Sequence, residues 1–169
     1  MSWLTPRDWQ QHDVIAATRL NDISTDLNYL FNRPRDETLY EIPVSITMTN
    51  TTPVAIDTAN FRVSLETFGG DVLIGYSLIS SHGTAAGVAI YDILMDNDIY
   101  ASSKNTVYAA RGIYYRKAQD NADQEHITQV FLWTDISAGT HYFDLMAWVV
   151  SGTLTLDADS TIQLWALEV

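Results

Sequence analysis

Cysteine is absent from this sequence, so neither disulfides nor thiolate metal sites contribute to the fold. The chain folds in a reducing cytoplasm or survives outside it without covalent staples. Positive charge is scarce: nine Lys and Arg stand against twenty-one Asp and Glu, for a net charge of −12. An acidic body repels phosphate backbones, which argues against a nucleic-acid partner. No run reaches the roughly 18 apolar residues of a membrane span, so membrane insertion is not expected. The opening Met1-Ser2-Trp3-Leu4-Thr5-Pro6-Arg7 lacks a basic stretch followed by an apolar one, so no signal peptide is expected. Charged residues make up only 18% and hydrophobic residues 47%, which excludes a disordered chain.

The charge is uneven. Residues 1–35 hold four acids and four bases, whereas residues 36–169 hold seventeen acids and five bases. The pattern changes at the same place. From Asp13 to Phe31 apolar side chains recur at Ala16, Leu20, Ile23, Leu27 and Leu30, one stripe of an amphipathic helix. Asp13 is placed to cap its first turn, although Ala16 stands where a capping box needs Glu or Gln. Arg33 and Arg35 complement the negative C-terminal end, and Pro34 stops the run. A lone helix of this length is marginal in water, so its stripe must be covered. The cover is the chain's own β-domain, copies of the same helix, or a larger body. The heptad-like spacing favours self-association over two repeats.

Ahead of the helix, Trp3-Leu4-Thr5-Pro6-Arg7-Asp8-Trp9 is too short and proline-bound to be helical. Two tryptophans in an arm are costly to leave in water. They pack on this chain's own domain, a sister chain or a docking partner.

From Leu39 onward the rule is alternation, with Ile42, Val44, Ile46 and Met48 set against Ser45, Thr47 and Thr49. Strands are expected at 39–49, 54–57, 61–67, 72–79, 87–95, 108–116, 127–134, 141–149, 153–156 and 161–169. Pro43 makes the first an edge or bulged strand. Gly69-Gly70 and Ser151-Gly152 suggest tight hairpins. Short strands separated by turns at this spacing predict an antiparallel sandwich or barrel. The expected division is an arm and helix, residues 1–36, and a β-sandwich, residues 37–169. Phe131-Leu132-Trp133, Leu145–Val150 and Leu164-Trp165-Ala166-Leu167 are apolar in both registers, so these strands are covered on both faces, by the helix or by a neighbouring subunit. That favours an obligate homo-oligomer.

Catalytic markers are missing. His12, His82, His126 and His141 show no zinc spacing. Asp96-Asn97-Asp98, Asp157-Ala158-Asp159 and the acidic loop at 120–125 lack the glycine and terminal glutamate of a helix-loop-helix calcium site and read as solvated turns. No G-x-S-x-G, P-loop or G-x-G-x-x-G occurs, and nothing singles out one carboxylate pair. No cofactor or metal is expected, and no enzymatic activity.

The opening Trp3–Trp9, followed by Val14-Ile15-Ala16-Ala17, Leu20-Asn21 and Asp26-Leu27-Asn28-Tyr29-Leu30, resembles the start of small tailed-bacteriophage virion structural proteins, with their W-x-T-P-R-x-W stretch before a helix. Ala138-Gly139-Thr140-His141-Tyr142-Phe143, Trp148, Ser151–Leu156 and the terminal Leu167-Glu168-Val169 are similar to trimeric jelly-roll domains at the ends of viral fibres, which share the tumour-necrosis-factor and C1q architecture. The resemblance implies a mainly β, trimeric jelly roll behind an N-terminal helix. It implies a non-enzymatic head, neck or tail appendage that joins other virion proteins and meets a host-surface glycan or receptor. Trp3, Trp9, Leu20, Ile23, Leu27 and Leu30 would form the attachment or bundling segment. The alternative is a carbohydrate- or receptor-binding β-sandwich, with Tyr100, Tyr114 or Tyr115 stacking on sugars.

Overall fold

The computed structural model describes residues 17–104, 112–120 and 123–169. Trp3, Trp9, the Asp13 cap and Ala16 lie outside the described residues. One helix, α1 (Ala17–Phe31), precedes twelve strands: β1 (Arg35–Glu41), β2 (Ile46–Met48), β3 (Val54–Ala55), β4 (Arg62–Thr67), β5 (Gly70–His82), β6 (Val88–Met95), β7 (Ile99–Tyr100), β8 (Tyr114–Lys117), β9 (Asp123–Ile136), β10 (Gly139–Ser151), β11 (Leu154–Leu156) and β12 (Thr161–Glu168). The helix ends where Pro34 requires it to, with the amide of Asn32 still donating to the carbonyl of Asn28.

All strand pairs are antiparallel and form two sheets. The first has the order β1-β12-β5-β11-β2 with β9 beside β5, and the second runs β3-β10-β6-β7 with β4 beside β10 and β8 beside β6. Counting β1, β4, β5, β6, β8, β9, β10 and β12 as the eight principal strands in chain order, the first sheet holds the first, eighth, third and sixth. The second sheet holds the second, seventh, fourth and fifth. Late strands returning between early ones in both sheets give a jelly roll, two Greek keys folded together. The chain is thus mainly β, an antiparallel sandwich behind one short helix.

Two expected hairpins are crossings instead. Gly69-Gly70 carries the chain from β4 in the second sheet to β5 in the first, and Ser151-Gly152 carries it from β10 to β11 in the same direction. Their positive φ values, +96° at Gly69 and +82° at Gly152, serve bends between layers rather than two-residue hairpins. The carboxylate of buried Glu168 secures the first bend by accepting the Phe68 amide at 3.0 and 3.2 Å. A true hairpin turn lies at Asp96-Asn97, where φ is +54° and +59° and the Asp98 amide donates to Met95. The expected long first strand is broken: β1 stops at Glu41 and β2 resumes at Ile46, with Pro43 in the gap.

The core fills the space between the layers. Trp133 of β9 meets Phe143 of β10 edge-on across the sandwich, ring centres 6.1 Å apart. Tyr76, Tyr91 and Tyr114 continue it in a tilted series at 6.3 and 6.2 Å. Neither Leu20, Ile23, Leu27 nor Leu30 belongs to this cluster.

Candidate assembly surface

The helical stripe remains open. Leu20, Ile23, Leu27 and Leu30 are 52%, 46%, 47% and 40% exposed. Asn21, Ser24, Thr25 and Asn28 form much of the solvated opposite side. The stripe is not sealed inside the protomer, so of the three covers the sequence allowed, the described β-domain is not the one used.

The two sheets treat their outer faces differently. In the second sheet the outward positions include Ile90 and Asp92 of β6 and Met146 of β10, and all three are buried. Asp92 is covered by the chain itself, through Ser102 of a short 3-10 turn after β7. Ser102 gives its amide to the Asp92 carboxylate at 3.1 Å and its hydroxyl to the other oxygen of the same group. Burial raises the Asp92 carboxyl above its ordinary value, and the bonds from Ser102 and Ile93 pull it back. Met146, which points outward from β10 beside Asp92, is likewise buried within the protomer, while Val150 stays exposed.

The first sheet has no such cover among the described residues. Because Leu164 and Ala166 point inward, Trp165 and Leu167 point out. Strand register places Arg35, Leu167, Leu73 and Leu132 in one row across the sheet, and Glu37, Trp165, Gly75 and Val130 in the next. Val130 and Leu132 are 54% and 47% exposed. Leu39 and Ile79, exposed, extend the face, and Ser77, Thr128 and His126 join into a small hydrogen-bonded group on it. Trp165 is held flat by the absence of a side chain beneath it: a Cβ at Gly75 would lie 2.3 Å from the indole Cζ2. A shallow groove beside it is lined by Arg35, Asp36, Glu37 and Leu167. On β5 from Leu73 onward, on β9 and on β12, the outward positions carry no Asp, Glu, Lys or Arg, whereas Arg35, Glu37 and Glu41 of β1 and Asp71 at the start of β5 put charge around the border of the face.

Among the described residues one constellation has the makings of a catalytic group. The nearest constellation is Asp96, His141 and Ser137. His141 Nδ1 lies 2.7 Å from the Asp96 carboxylate, but Nε2 lies 2.9 Å from the Ser137 carbonyl oxygen and only 3.4 Å from its hydroxyl. The ring ties two turns together, and its second nitrogen is engaged by backbone rather than by a nucleophile. The other Asp96 oxygen accepts the Tyr142 amide, so the Asp96-Asn97-Asp98 turn spends its leading carboxylate on the protein. Among the described residues no three His, Asp or Glu side chains converge on a metal-sized space. On the second sheet's face, Arg62 forks onto buried Asp144 at 2.8 and 2.7 Å and lies 5.5 Å from the Tyr142 ring centre.

The three tyrosines proposed for sugar stacking do not form one platform. Tyr114 faces inward and donates to Glu125 at 2.6 Å, Tyr115 faces outward at the next position, and Tyr100 is half-buried on β7. The residues that sequence reasoning missed are Trp165 with Gly75. A lone glycine inside an alternating strand is the signal that marks such a close approach.

These features define a jelly-roll sandwich whose first sheet, among the described residues, leaves its outer face uncovered, behind an amphipathic helix with an exposed apolar stripe. No family model matches the chain, and no curated protein matches it. Among solved structures it is similar to the globular domain of zebrafish complement 1qA, with 6% identity and a TM-score of 0.46 over 82% of this chain and 98% of that one. It is also similar to the Eiger TNF of S. frugiperda, with 9% identity and a TM-score of 0.41 over 81% and 94% of the two chains. The VP2 protein of infectious bursal disease virus aligns over 81% of this chain and 36% of its own, with 9% identity and a TM-score of 0.41. Among the described residues no helix is long and apolar enough to cross a membrane.

Proposed function

We propose that this chain is a non-enzymatic structural protein of a tailed-bacteriophage virion, a short head, neck or tail appendage. Residues 1–36 attach it, through Trp3, Trp9 and the stripe Leu20, Ile23, Leu27 and Leu30. Residues 37–169 form the jelly roll that projects. The protein works as a homo-oligomer, a trimer, seated on other virion proteins, with its acidic β-domain turned toward the host surface.

The observation that carries this reading is the exposed stripe on α1. An amphipathic helix standing uncovered before a complete β-core is an element meant for other molecules. The direct test is proteomic analysis and reconstruction of purified phage particles. The expected result is the chain at fixed stoichiometry in every particle, with its N-terminal segment against the virion body. Its absence from particles, or saturable glycan binding by a stable monomer, would refute the reading in favour of a free binding module.

A further inference from the structure

The outer face of the second sheet carries a group of side chains that the virion reading does not use. Arg62 on β4 and Asp144 on β10 stand opposite each other in register, and Ser64 and Tyr142 form the next outward row. The guanidinium is fixed before any ligand arrives. Its Nε and Nη2 donate to the two oxygens of the Asp144 carboxylate at 2.8 and 2.7 Å, and Asp144 is 1% exposed. A forked pair of this kind holds the plane of the arginine in one orientation. The Tyr142 ring, 42% exposed, has its centre 5.5 Å from Arg62 Cζ and walls one side.

The turn between β6 and β7 closes another side. Asn97 sits there with φ of +59°, and its Oδ1 accepts from Arg62 Nη2 at 3.3 Å. An amide that accepts through its oxygen turns its NH2 away from the donor, so Nδ2 is left to face a ligand. The turn is itself anchored. One Asp96 oxygen accepts the Tyr142 amide at 2.8 Å, and the other lies 2.7 Å from His141 Nδ1.

What stays open is one kind of chemistry. Among the described residues, Arg62 Nη1 and Asn97 Nδ2 meet no acceptor, while the carboxylates of Asp96 and Asp144 are already bonded within the protein. Donors beside an aromatic ring call for a ligand with acceptor oxygens and an apolar flank. Charge narrows the choice. Asp144 balances Arg62, Glu66 and Asp98 are exposed nearby, and the chain carries −12, so an anion is repelled. A pyranose ring offers hydroxyl oxygens, a face of C–H groups and no charge.

We propose that Arg62, Asn97 and Tyr142 form a binding site for a neutral sugar, with Arg62 Nη1 and Asn97 Nδ2 donating to its hydroxyl oxygens and the Tyr142 ring against its C–H face. The fork and the anchored turn lose little freedom on binding, which favours a small ligand with few contacts. None of the three is a tyrosine that the sequence put forward for stacking. The inference goes beyond the virion reading and does not depend on it.

The test applies the full chain to an array of oligosaccharides ending in neutral hexoses, in N-acetylhexosamines and in sialic acid, then titrates the bound ones by calorimetry. Neutral ends should bind and sialic acid should not. Arg62 is unsuited to substitution because its loss strands Asp144. Asn97→Asp keeps the oxygen that Arg62 needs, tolerates the same backbone conformation and replaces the NH2 with an acceptor. Tyr142→Ala removes the wall. Each variant should weaken binding about tenfold with an unchanged circular dichroism spectrum. Tyr115→Ala, at an exposed tyrosine elsewhere on the same sheet, should bind as the wild type does. A wild type that binds no neutral sugar, one that prefers sialic acid, or binding that survives Asn97→Asp and Tyr142→Ala overturns the proposal. Absence of the chain from phage particles sinks the virion reading and leaves this site standing; an array without neutral binding does the reverse.

Discussion

Leu27→Asp tests the helix most directly. Leu27 is 47% exposed in the protomer, so roughly half of its burial remains to be gained on association. Full burial of a leucine contributes about 1.5–3 kcal/mol, so the missing half is about 1 kcal/mol. The new carboxylate would also have to leave water among its own copies. Fully dry ion sites cost several kcal/mol per charge, and a short bundle that stays partly wet costs about 2. Each copy therefore loses about 3 kcal/mol. For a trimer the three losses combine, and because concentration enters the equilibrium twice per trimer, the half-assembly concentration rises about a thousandfold. Light scattering over a dilution series reads this as a fall from the assembled mass to that of one chain. Leu27 stands outside the core cluster, so the β-sheet circular dichroism should not change. An unchanged mass across the series would refute the helix as a self-association element.

Two further outcomes follow from the second sheet. Arg62→Ala should destabilise the fold by about 3 kcal/mol, because it strands the carboxylate of Asp144, which is 1% exposed and now takes two bonds from the guanidinium. A chemical-denaturation change under 1 kcal/mol would contradict that account. Asp92→Asn should change the pH profile. Burial raises the folded Asp92 carboxyl above 3.8, so as pH climbs from there the unfolded chain loses its proton first and wild-type stability falls. The asparagine variant cannot ionise, so its stability relative to wild type should increase between acid and neutral pH. A difference that stays flat, or reverses, across that range would show that Asp92 is not destabilised by burial.

The helix was legible because its signal is local: Leu20, Ile23, Leu27 and Leu30 share one face by spacing alone, and Pro34 forbids continuation. The β-class was legible for the same reason, since alternation is a property of a single strand. The sheet assignments were not. Gly69-Gly70 and Ser151-Gly152 announce a bend, but a glycine with positive φ serves a hairpin or a crossing equally well, and which sheet receives the next strand is decided by the core. Leu145–Val150 and Leu164–Leu167 posed the same puzzle in sequence, apolar on both registers. On one strand the outward Met146 is buried within the protomer, while on the other the outward Trp165 and Leu167 stay partly open. Spacing along a strand cannot tell these cases apart.

That contrast is the physical reason to look for a protein partner on one side only. Asp92 shows what the chain does with a polar group on a face it covers itself: the carboxylate is buried and bound by Ser102. On the open face polar groups are handled the other way. Ser77, Thr128 and His126 bond to one another at 3.0 and 3.3 Å in the middle of the sheet, and the carboxylates of that face, Glu37 and Glu41 of β1 and Asp71 at the start of β5, stand at its border. A face meant only for water gains nothing from clearing its middle of charge, and an acidic chain would have placed some there. Keeping it neutral lowers solubility in the free protomer and helps only when a second surface removes it from water. The helix obeys the same logic, and since Pro34 joins it to the edge of that sheet, the two surfaces are most economically closed by one partner acting on both.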